Sequence, residues 1–347
     1  MAPVASFRVT LQPSGHAFTT DGNDSVLQAA LDAGLTLPYG CRNGACGACK
    51  GKVIDGLVDH GSAQDQALST ADRASGLALF CCAKPLSDLV LECREVGTAK
   101  DIPVKIMPCR VQKIERVADD VIVLSLKLPA NERLQFLAGQ YIEFLLKDGK
   151  RRAFSIANAP HDDGFLQLHV RLISGGEFTG HVFGGMKEKD ILRFQGPYGS
   201  FFLREESTKP MILLAGGTGF APIKALVEHA IQNHITRPME IYWGARSKAG
   251  LYLPELPSGW ANAHGHIRYV PVLSDASPQE SWQGRSGLVH SAVLEDHADL
   301  SAYQVYACGA PAMIDAARIE FVARGLPPEE FFADAFTFSS QPEVTAQ

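Results

Sequence analysis

The chain has 347 residues, of which 46% are hydrophobic and 20% charged, with a formal net charge of −6. Because one hydrophobic core seldom serves so long a chain, we expect two or three domains. The charge shows no basic excess for nucleic acid, and no apolar run approaches the roughly 20 residues that span a bilayer. Eight cysteines and an N-terminus without a signal-peptide pattern predict a reducing, cytoplasmic location. Neither nucleic acid nor a membrane is expected as a partner.

The first elements are two strands and a helix. Residues 7–11 alternate at period two, and a second strand is predicted over 17–20. Asp24 or Ser25 can cap the helix that follows, and Gly34 is placed to end it. Strand, strand, helix and loop is the order of a β-grasp domain.

Closely spaced cysteines follow the helix. Three stand in a C-x4-C-x2-C run and one lies far downstream: Cys41, Cys46, Cys49 and Cys81. This is the plant-type [2Fe–2S] ferredoxin spacing. Gly44 and Gly47 permit the positive φ angles that so tight a loop needs. A zinc site is the alternative, but zinc sites favour paired C-x2-C units and only one is present. The run therefore predicts a cluster that moves single electrons.

The fourth ligand is ambiguous, because Cys81 and Cys82 are adjacent and neighbouring strand residues point to opposite faces. The stretch from Cys81 resembles the end of plant-type ferredoxins, where the ligand stands four residues before a proline. That resemblance selects Cys81. Cys82, Cys93 and Cys109 are interpreted as small buried hydrophobic residues.

The middle of the chain is predicted as an antiparallel six-stranded β-barrel. Residues 98–105 lose periodicity and form a predicted linker. Short alternating strands follow at 111–114, 121–126 and 141–146. Two short patterns lie in this region, Arg-Ala-Phe-Ser at 152–155 and Gly-Gly-Glu-Phe-Thr at 175–179. By pattern alone, the first is usually a surface strand position and the second usually a capped helix start, so neither pattern by itself indicates a site.

The last third reads as a doubly wound α/β domain. The apolar run 211–215 is typical of a parallel strand, and the turn 216–222 leads into an amphipathic helix. Such a turn lets backbone N–H groups approach a pyrophosphate at a helix N-terminus. It is not the G-x-G-x-x-G fingerprint, so an ordinary βα turn stays open. Further strands are predicted at 240–243, 267–272 and 304–308, the last ending at the carboxyl edge of the sheet.

On these residues, nearly the whole chain resembles the ferredoxin–NADP reductase superfamily, in the group with an N-terminal plant-type ferredoxin fused to flavin and nicotinamide domains. Within it the chain is similar to CDP-6-deoxy-glucoseen reductases and to phenol and methane monooxygenase reductase components. The resemblance implies a ferredoxin domain over 1–97, a linker over 98–105, an FAD domain over 106–205 and an NAD(P)H domain over 206–337. Residues 338–347 are predicted as a disordered tail.

The resemblance also assigns flavin contacts. It puts Arg152 on the pyrophosphate, Phe154 against the isoalloxazine or its ribityl side, and Ser155 near N5. It also implies that the helix start, with Gly176 and Thr179, lies at the same pyrophosphate. A neighbouring strand, with Val170 and Arg171, is implied at the adenine side. FAD is implied rather than FMN, because FMN-using relatives carry the ferredoxin domain at the other end.

For the nicotinamide, the resemblance implies a binding loop and a thiol beside C4, contributed by Gly216, Gly217, Thr218, Gly219 and Cys308. Asp334 and Phe336 resemble the acid and the terminal aromatic that approach the flavin, although several relatives end at this aromatic. Arg246 follows a strand in a stretch, 245–250, that contains no acid. An acid there would select NAD and a basic group NADP; NADH is expected, with NADPH left open.

The predicted function is electron transfer from NAD(P)H to FAD, to the cluster and to an external acceptor. The first choice of acceptor is a partner dehydrase, with an oxygenase component as the alternative. A free flavin or quinone reductase would need no cluster, and a redox sensor would need no flavin or nicotinamide motifs. A monomer is expected when the protein is free.

Overall fold

The computed structural model describes residues 6–93, 95 and 102–337, which form three successive domains with one main sheet each. The predicted tail and half of the predicted linker lie outside the described residues. We call residues 6–93 the N-terminal domain, 105–203 the middle domain and 211–337 the C-terminal domain. No helix in these described ranges is long and apolar enough to cross a membrane.

The N-terminal domain is a mixed five-stranded sheet packed against one helix. Its elements are β1 Phe7–Gln12, β2 Ala17–Thr20, α1 Val26–Asp32, β3 Lys50–Asp55, β4 Val58–Asp59, α2 Thr70–Ala74, β5 Leu77–Leu79, β6 Lys84–Pro85 and β7 Leu89–Glu92. The order is β2-β1-β7-β3-β5, in which β1 and β7 run parallel. Of the two predicted caps, Ser25 is the right one: its hydroxyl accepts from the Gln28 N–H at 3.2 Å.

The middle domain is a six-stranded antiparallel sheet with one helix. Its elements are β8 Lys105–Ala118, β9 Val121–Lys127, β10 Tyr141–Leu145, β11 Arg151–Ser155, β12 Leu166–Arg171, α3 Glu177–Gly184 and β13 Ile191–Tyr198. The order is β11-β10-β13-β8-β9-β12.

The prediction of a closed barrel is wrong in one respect. The edge strands β11 and β12 share only the bridge between Ile156 and Leu168 among the described residues. Beyond this bridge the chain forms a loop that the Asn158 side chain organises. That amide donates to the carbonyls of Asp162 and Phe165, at 2.7 and 2.9 Å, and its oxygen accepts from the Gln167 N–H.

The C-terminal domain is a parallel six-stranded sheet with helices on both faces. Its elements are β14 Met211–Gly216, α4 Phe220–Gln232, β15 Met239–Ala245, α5 Glu255–Ala263, β16 Ile267–Leu273, β17 Arg285–Ser286, α6 Val289–Asp296, β18 Gln304–Gly309, α7 Pro311–Ala323 and β19 Phe331–Ala335. The order is β17-β16-β15-β14-β18-β19. Leu213 and Ala215 pack on the α4 face and Ile212 and Leu214 on the other, which is why the run is apolar throughout.

Strand order reverses between β14 and β18, because the chain builds outward from β14 in one direction and then returns to add β18 on its other side. In open α/β sheets, ligands bind at the carboxyl ends of the strands at such a point. The turns after β14 and β18 are therefore where a nucleotide site is expected.

Candidate functional site

The four predicted cluster cysteines lie in two pairs. The Cys41 N–H points to the Cys46 sulfur at 3.4 Å, and the Cys81 N–H points to the Cys49 sulfur at 3.4 Å. The Cys46 thiol donates to Cys41, which lowers the pKa of Cys41 to about 6 and raises the pKa of Cys46. One thiol pair lies within the loop 41–49 and the other joins that loop to Cys81. Two such pairs fit a [2Fe–2S] cluster, in which four cysteine thiolates hold two irons.

Cys82 packs against the outside of the loop 41–49, which we call the cysteine loop. Its sulfur is 3.5 Å from the Ser62 hydroxyl, and a Cβ on Gly44 would lie 2.8 Å from it. Gly44 and Gly47 have φ angles of 78° and 73°, the left-handed conformation that glycine adopts without strain. Cys81 rather than Cys82 thus stands with Cys49, although the two neighbouring sulfurs are 3.6 Å apart.

The cysteine loop is docked on the middle domain. The Ser200 hydroxyl accepts from the Tyr39 N–H at 2.8 Å, and the Ser200 N–H donates to the Tyr39 carbonyl at 3.1 Å. The Tyr141 hydroxyl donates to the Gly40 carbonyl at 2.6 Å. The Arg42 guanidinium lies 4.6 Å from the centre of the Tyr198 ring, within cation–π range. One side of the loop is therefore held by the domain that carries the predicted flavin residues.

Ser155 and Asp334 meet where all three domains join. The Ser155 hydroxyl donates to the Asp334 carboxylate at 3.3 Å. Asp334 lies opposite Cys308 in the β18–β19 ladder, and its other oxygen is 3.6 Å from where a Cβ on Gly40 would stand. Burial raises the pKa of Asp334 to about 6. The structure thus brings the three predicted catalytic residues, Ser155, Cys308 and Asp334, to one junction beside the cysteine loop.

The other flavin candidates lie on the opposite face of β11. The Phe154 ring is 5.4 Å from the Phe178 ring on α3, so α3 begins close to this strand. The Arg152 guanidinium donates to the carbonyl of Arg151 at 2.8 Å. Gly176 is the N-cap of α3, and the Thr179 hydroxyl accepts from the Ile173 N–H at 3.2 Å. Thr179 therefore organises the turn before α3.

Arg171 has buried hydrogen-bond donors, beside the glycine turn, that an anion would satisfy. Its Nη1 donates to Asp120 at 2.7 Å, while Nε and Nη2 are buried without a partner in the described residues. Its guanidinium lies within 4 Å of where a Cβ on Gly217 would stand. Buried unpaired guanidinium donors are costly unless a ligand satisfies them, and a phosphate does so well. Val170, beside it, is fully buried.

The glycine turn is shaped by contacts with β15 and β18. Gly217 has a φ of 53°, and its carbonyl accepts from the Trp243 indole N–H at 2.9 Å. A Cβ on Gly219 would overlap the Cys308 carbonyl, so only glycine fits there. Thr218 lies between them, and Gly216 packs against Gly309. Burial raises the pKa of the Cys308 thiol well above its usual value, so this sulfur stays protonated.

An acid from a distant segment reaches the stretch that follows β15. The Glu280 carboxylate accepts from the Lys248 N–H at 2.6 Å and the Ser277 N–H at 2.8 Å. These backbone hydrogen bonds lower the pKa of Glu280. Arg246 is exposed nearby, and its carbonyl accepts from the Asp275 N–H at 2.9 Å. Sequence reasoning missed Glu280, although Ser277-x-x-Glu280 is a capping-box pattern that could have pointed to it.

Phe336 borders a cleft between the N-terminal and C-terminal domains. Its N–H donates to the Gly309 carbonyl at 2.8 Å. The cleft measures about 1640 Å³ and is also lined by Cys46, Arg318 and Ile319. That Phe336 covers the flavin stays a prediction.

Three family models match the chain in order. They are a 2Fe-2S iron-sulfur cluster binding domain over residues 9–86, an oxidoreductase FAD-binding domain over 108–203 and an oxidoreductase NAD-binding domain over 213–318. The protein is an iron–sulfur flavoprotein oxidoreductase, as the cysteine spacing and the family resemblance predicted.

Individual relatives extend over almost the whole chain. The CDP-6-deoxy-L-threo-D-glycero-4-hexulose-3-dehydrase reductase of Yersinia pseudotuberculosis is 44% identical over 95% of this chain and 98% of its own length. The phenol 2-monooxygenase reductase component DmpP of Pseudomonas sp. is 36% identical over 95% and 94%. The solved structure of the Amycolatopsis cytochrome P450 reductase GcoB is 35% identical, with a TM-score of 0.76 over 96% and 100%.

The chain therefore belongs to the family of NAD(P)H-dependent reductases that join a 2Fe-2S domain to FAD and NAD domains. These reductases pass electrons from NAD(P)H through FAD and the cluster to a partner. The predicted function, enzyme class and cofactors are confirmed at this level.

Proposed function

We propose that the acceptor of this reductase is a sugar-nucleotide 3-dehydrase that acts on a 6-deoxy-4-hexulose. The observation that carries the proposal is the 44% identity to the dehydrase reductase over nearly the full length of both chains, against 36% for the phenol monooxygenase component. An oxygenase component is the second candidate, favoured by the likeness to GcoB.

The residue roles belong to the same proposal. When bound, FAD takes electrons from the nicotinamide as a pair and releases them singly, and the cluster passes them on one at a time. Arg152, Gly176 and Thr179 hold the flavin pyrophosphate from the β11 and α3 side. The Arg171 guanidinium, whose Nε and Nη2 have no partner in the described residues, supplies donors where the middle domain meets the glycine turn.

The C-terminal domain binds the nicotinamide nucleotide. The turn at Gly216–Gly219 and the α4 N-terminus receive its pyrophosphate. Cys308 is fully buried and keeps its proton, so it shapes the nicotinamide pocket and does not attack the substrate. Glu280 supplies the carboxylate that the stretch 245–250 lacks, which favours the ribose hydroxyl of NADH over the phosphate of NADPH.

At the junction, burial excludes water from Ser155 and Asp334. Asp334, with a pKa of about 6, can take up or release a proton near neutral pH. The pair thus sits where a proton must be taken up or released when a flavin changes its charge. The cysteine loop, with Cys41, Cys46, Cys49 and Cys81 as ligands, lies next to it.

The test is reconstitution with each class of partner. The purified reductase is mixed anaerobically with NADH, the dehydrase and its sugar nucleotide, and in parallel with a phenol monooxygenase oxygenase component and phenol. We expect product only with the dehydrase, and none when Cys46→Ser replaces the wild-type reductase. Product with the oxygenase alone would shift the assignment to the second candidate.

A further inference from the structure

Tyr141, on β10, connects the neighbour of the predicted flavin strand β11 directly to the cysteine loop. Its hydroxyl donates to the Gly40 carbonyl at 2.6 Å, the short end of the range for O–H···O bonds. The side chain is only 4% exposed, and burial raises its pKa well above the usual value. The hydroxyl therefore keeps its proton and stays a donor.

One end of this hydrogen bond lies next to a predicted flavin residue, and the other end lies next to a predicted cluster ligand. Tyr141 on β10 is the direct partner of Ser155 on β11. Gly40 is bonded to Cys41, whose N–H points to the Cys46 sulfur. One hydrogen bond and one peptide unit thus separate β10, which pairs with the predicted flavin strand β11, from a pair of cluster ligands.

The other contacts between the middle domain and the cysteine loop are made farther from the main chain of the cluster ligands. Ser200 binds Tyr39, which is two residues before Cys41, and Arg42 reaches Tyr198 through its long side chain. The Tyr141 hydrogen bond acts on the peptide group that joins Gly40 to Cys41. It is made in a buried, low-dielectric setting, where such bonds are strong.

We propose that Tyr141 is a positioning residue for internal electron transfer: its hydroxyl fixes the Cys41 peptide against β10, beside the predicted flavin strand β11. The proposal rests on the flavin-to-cluster relay. In each step one electron leaves the reduced flavin and enters the oxidised cluster, while Tyr141 is neither oxidised nor deprotonated. Its task is geometric: it holds the peptide next to Cys41 at a fixed position relative to the middle domain.

The test is anaerobic stopped-flow reduction of the Tyr141→Phe holoenzyme by NADH, with flavin and cluster followed at separate wavelengths. We expect NADH to reduce the flavin at the wild-type rate and electron transfer to the cluster to slow at least 10-fold, counted per cluster detected by EPR after dithionite. Tyr306→Phe is the matched control. It removes a buried tyrosine hydroxyl that accepts from the Arg204 N–H at 2.9 Å, away from the cluster, and should transfer normally.

Two further measurements test positioning against general loosening. Ser200→Ala weakens the same docking surface but keeps the Tyr141 hydroxyl, so it should slow transfer less than 3-fold. In the wild-type protein, transfer should not depend on solvent viscosity, because the loop is already in place; the Tyr141→Phe rate should fall as viscosity rises.

A wild-type rate in Tyr141→Phe, equal slowing in Ser200→Ala, or viscosity dependence in the wild type would each overturn the proposal. The wild-type viscosity measurement stands even if Tyr141→Phe loses its cluster. Wild-type protein whose reduced flavin never reduces the cluster would instead overturn the relay itself.

Discussion

The buried carboxylate of Asp334 makes a specific prediction about stability and pH. Burial raises its pKa from 3.8 to about 6, and each pH unit corresponds to about 1.4 kcal/mol. The folded protein therefore loses about 3 kcal/mol from this site when the carboxyl group ionises. Because the folded-state pKa is the higher one, that stabilising contribution is complete below pH 3.8 and is lost as the pH rises through 6.

Asp334→Asn removes this titration and keeps an oxygen that can accept from Ser155. We expect the melting temperature of the variant, followed by release of flavin fluorescence in the loaded protein, to exceed that of the wild type above pH 7. A change of about 3 kcal/mol corresponds to a difference of about 10 °C in a domain of this size. The gain should fall to about a third of that near pH 4.5 and approach zero only below pH 3.8. A negatively charged cluster beside Asp334 would raise its pKa further. A difference that stays constant from pH 4.5 to 8 would show that Asp334 does not titrate in this range.

Three other substitutions test separate parts of the site. Arg171→Ala removes the unpaired buried donors, and we expect a Kd for FAD or NADH at least 10-fold higher by fluorescence titration, with Arg133→Ala, an exposed arginine, as the unaffected control. Gly219→Ala places a methyl group against the Cys308 carbonyl. It should abolish NADH-driven flavin reduction but leave photoreduction of the flavin intact. Normal NADH turnover would show that the turn is not the nucleotide site. Glu280→Gln should lower the ratio of kcat/KM for NADH over NADPH about 5-fold or more, whereas an unchanged ratio would place the specificity elsewhere.

Local patterns predicted the parts of the site that are local in sequence. The C-x4-C-x2-C run needs only one loop, so its spacing indicated the cluster, and the apolar run before Gly216 indicated a parallel strand. In the described residues the middle sheet stays open between β11 and β12, which share only the bridge between Ile156 and Leu168. No period in the strands records which edge strands pair.

Long-range contacts were accessible only through the family resemblance or not at all. Ser155 and Asp334 are 179 residues apart, and no periodicity links them; the resemblance put both near the flavin. The position of Glu280 depends on how the segment after β16 folds back toward Lys248, which sequence spacing does not show. The Tyr141–Gly40 bond spans 101 residues and two domains, and β10 reads as an ordinary buried strand.

The relay through flavin and cluster is tested most directly by an anaerobic titration of the as-isolated protein with NADH and then NADPH, followed by absorbance and low-temperature EPR. We expect bleaching of the flavin bands together with a rhombic [2Fe–2S] signal, at lower concentrations of NADH than of NADPH. Flavin bleaching without a cluster signal in iron-replete protein would contradict electron transfer from the flavin to the cluster.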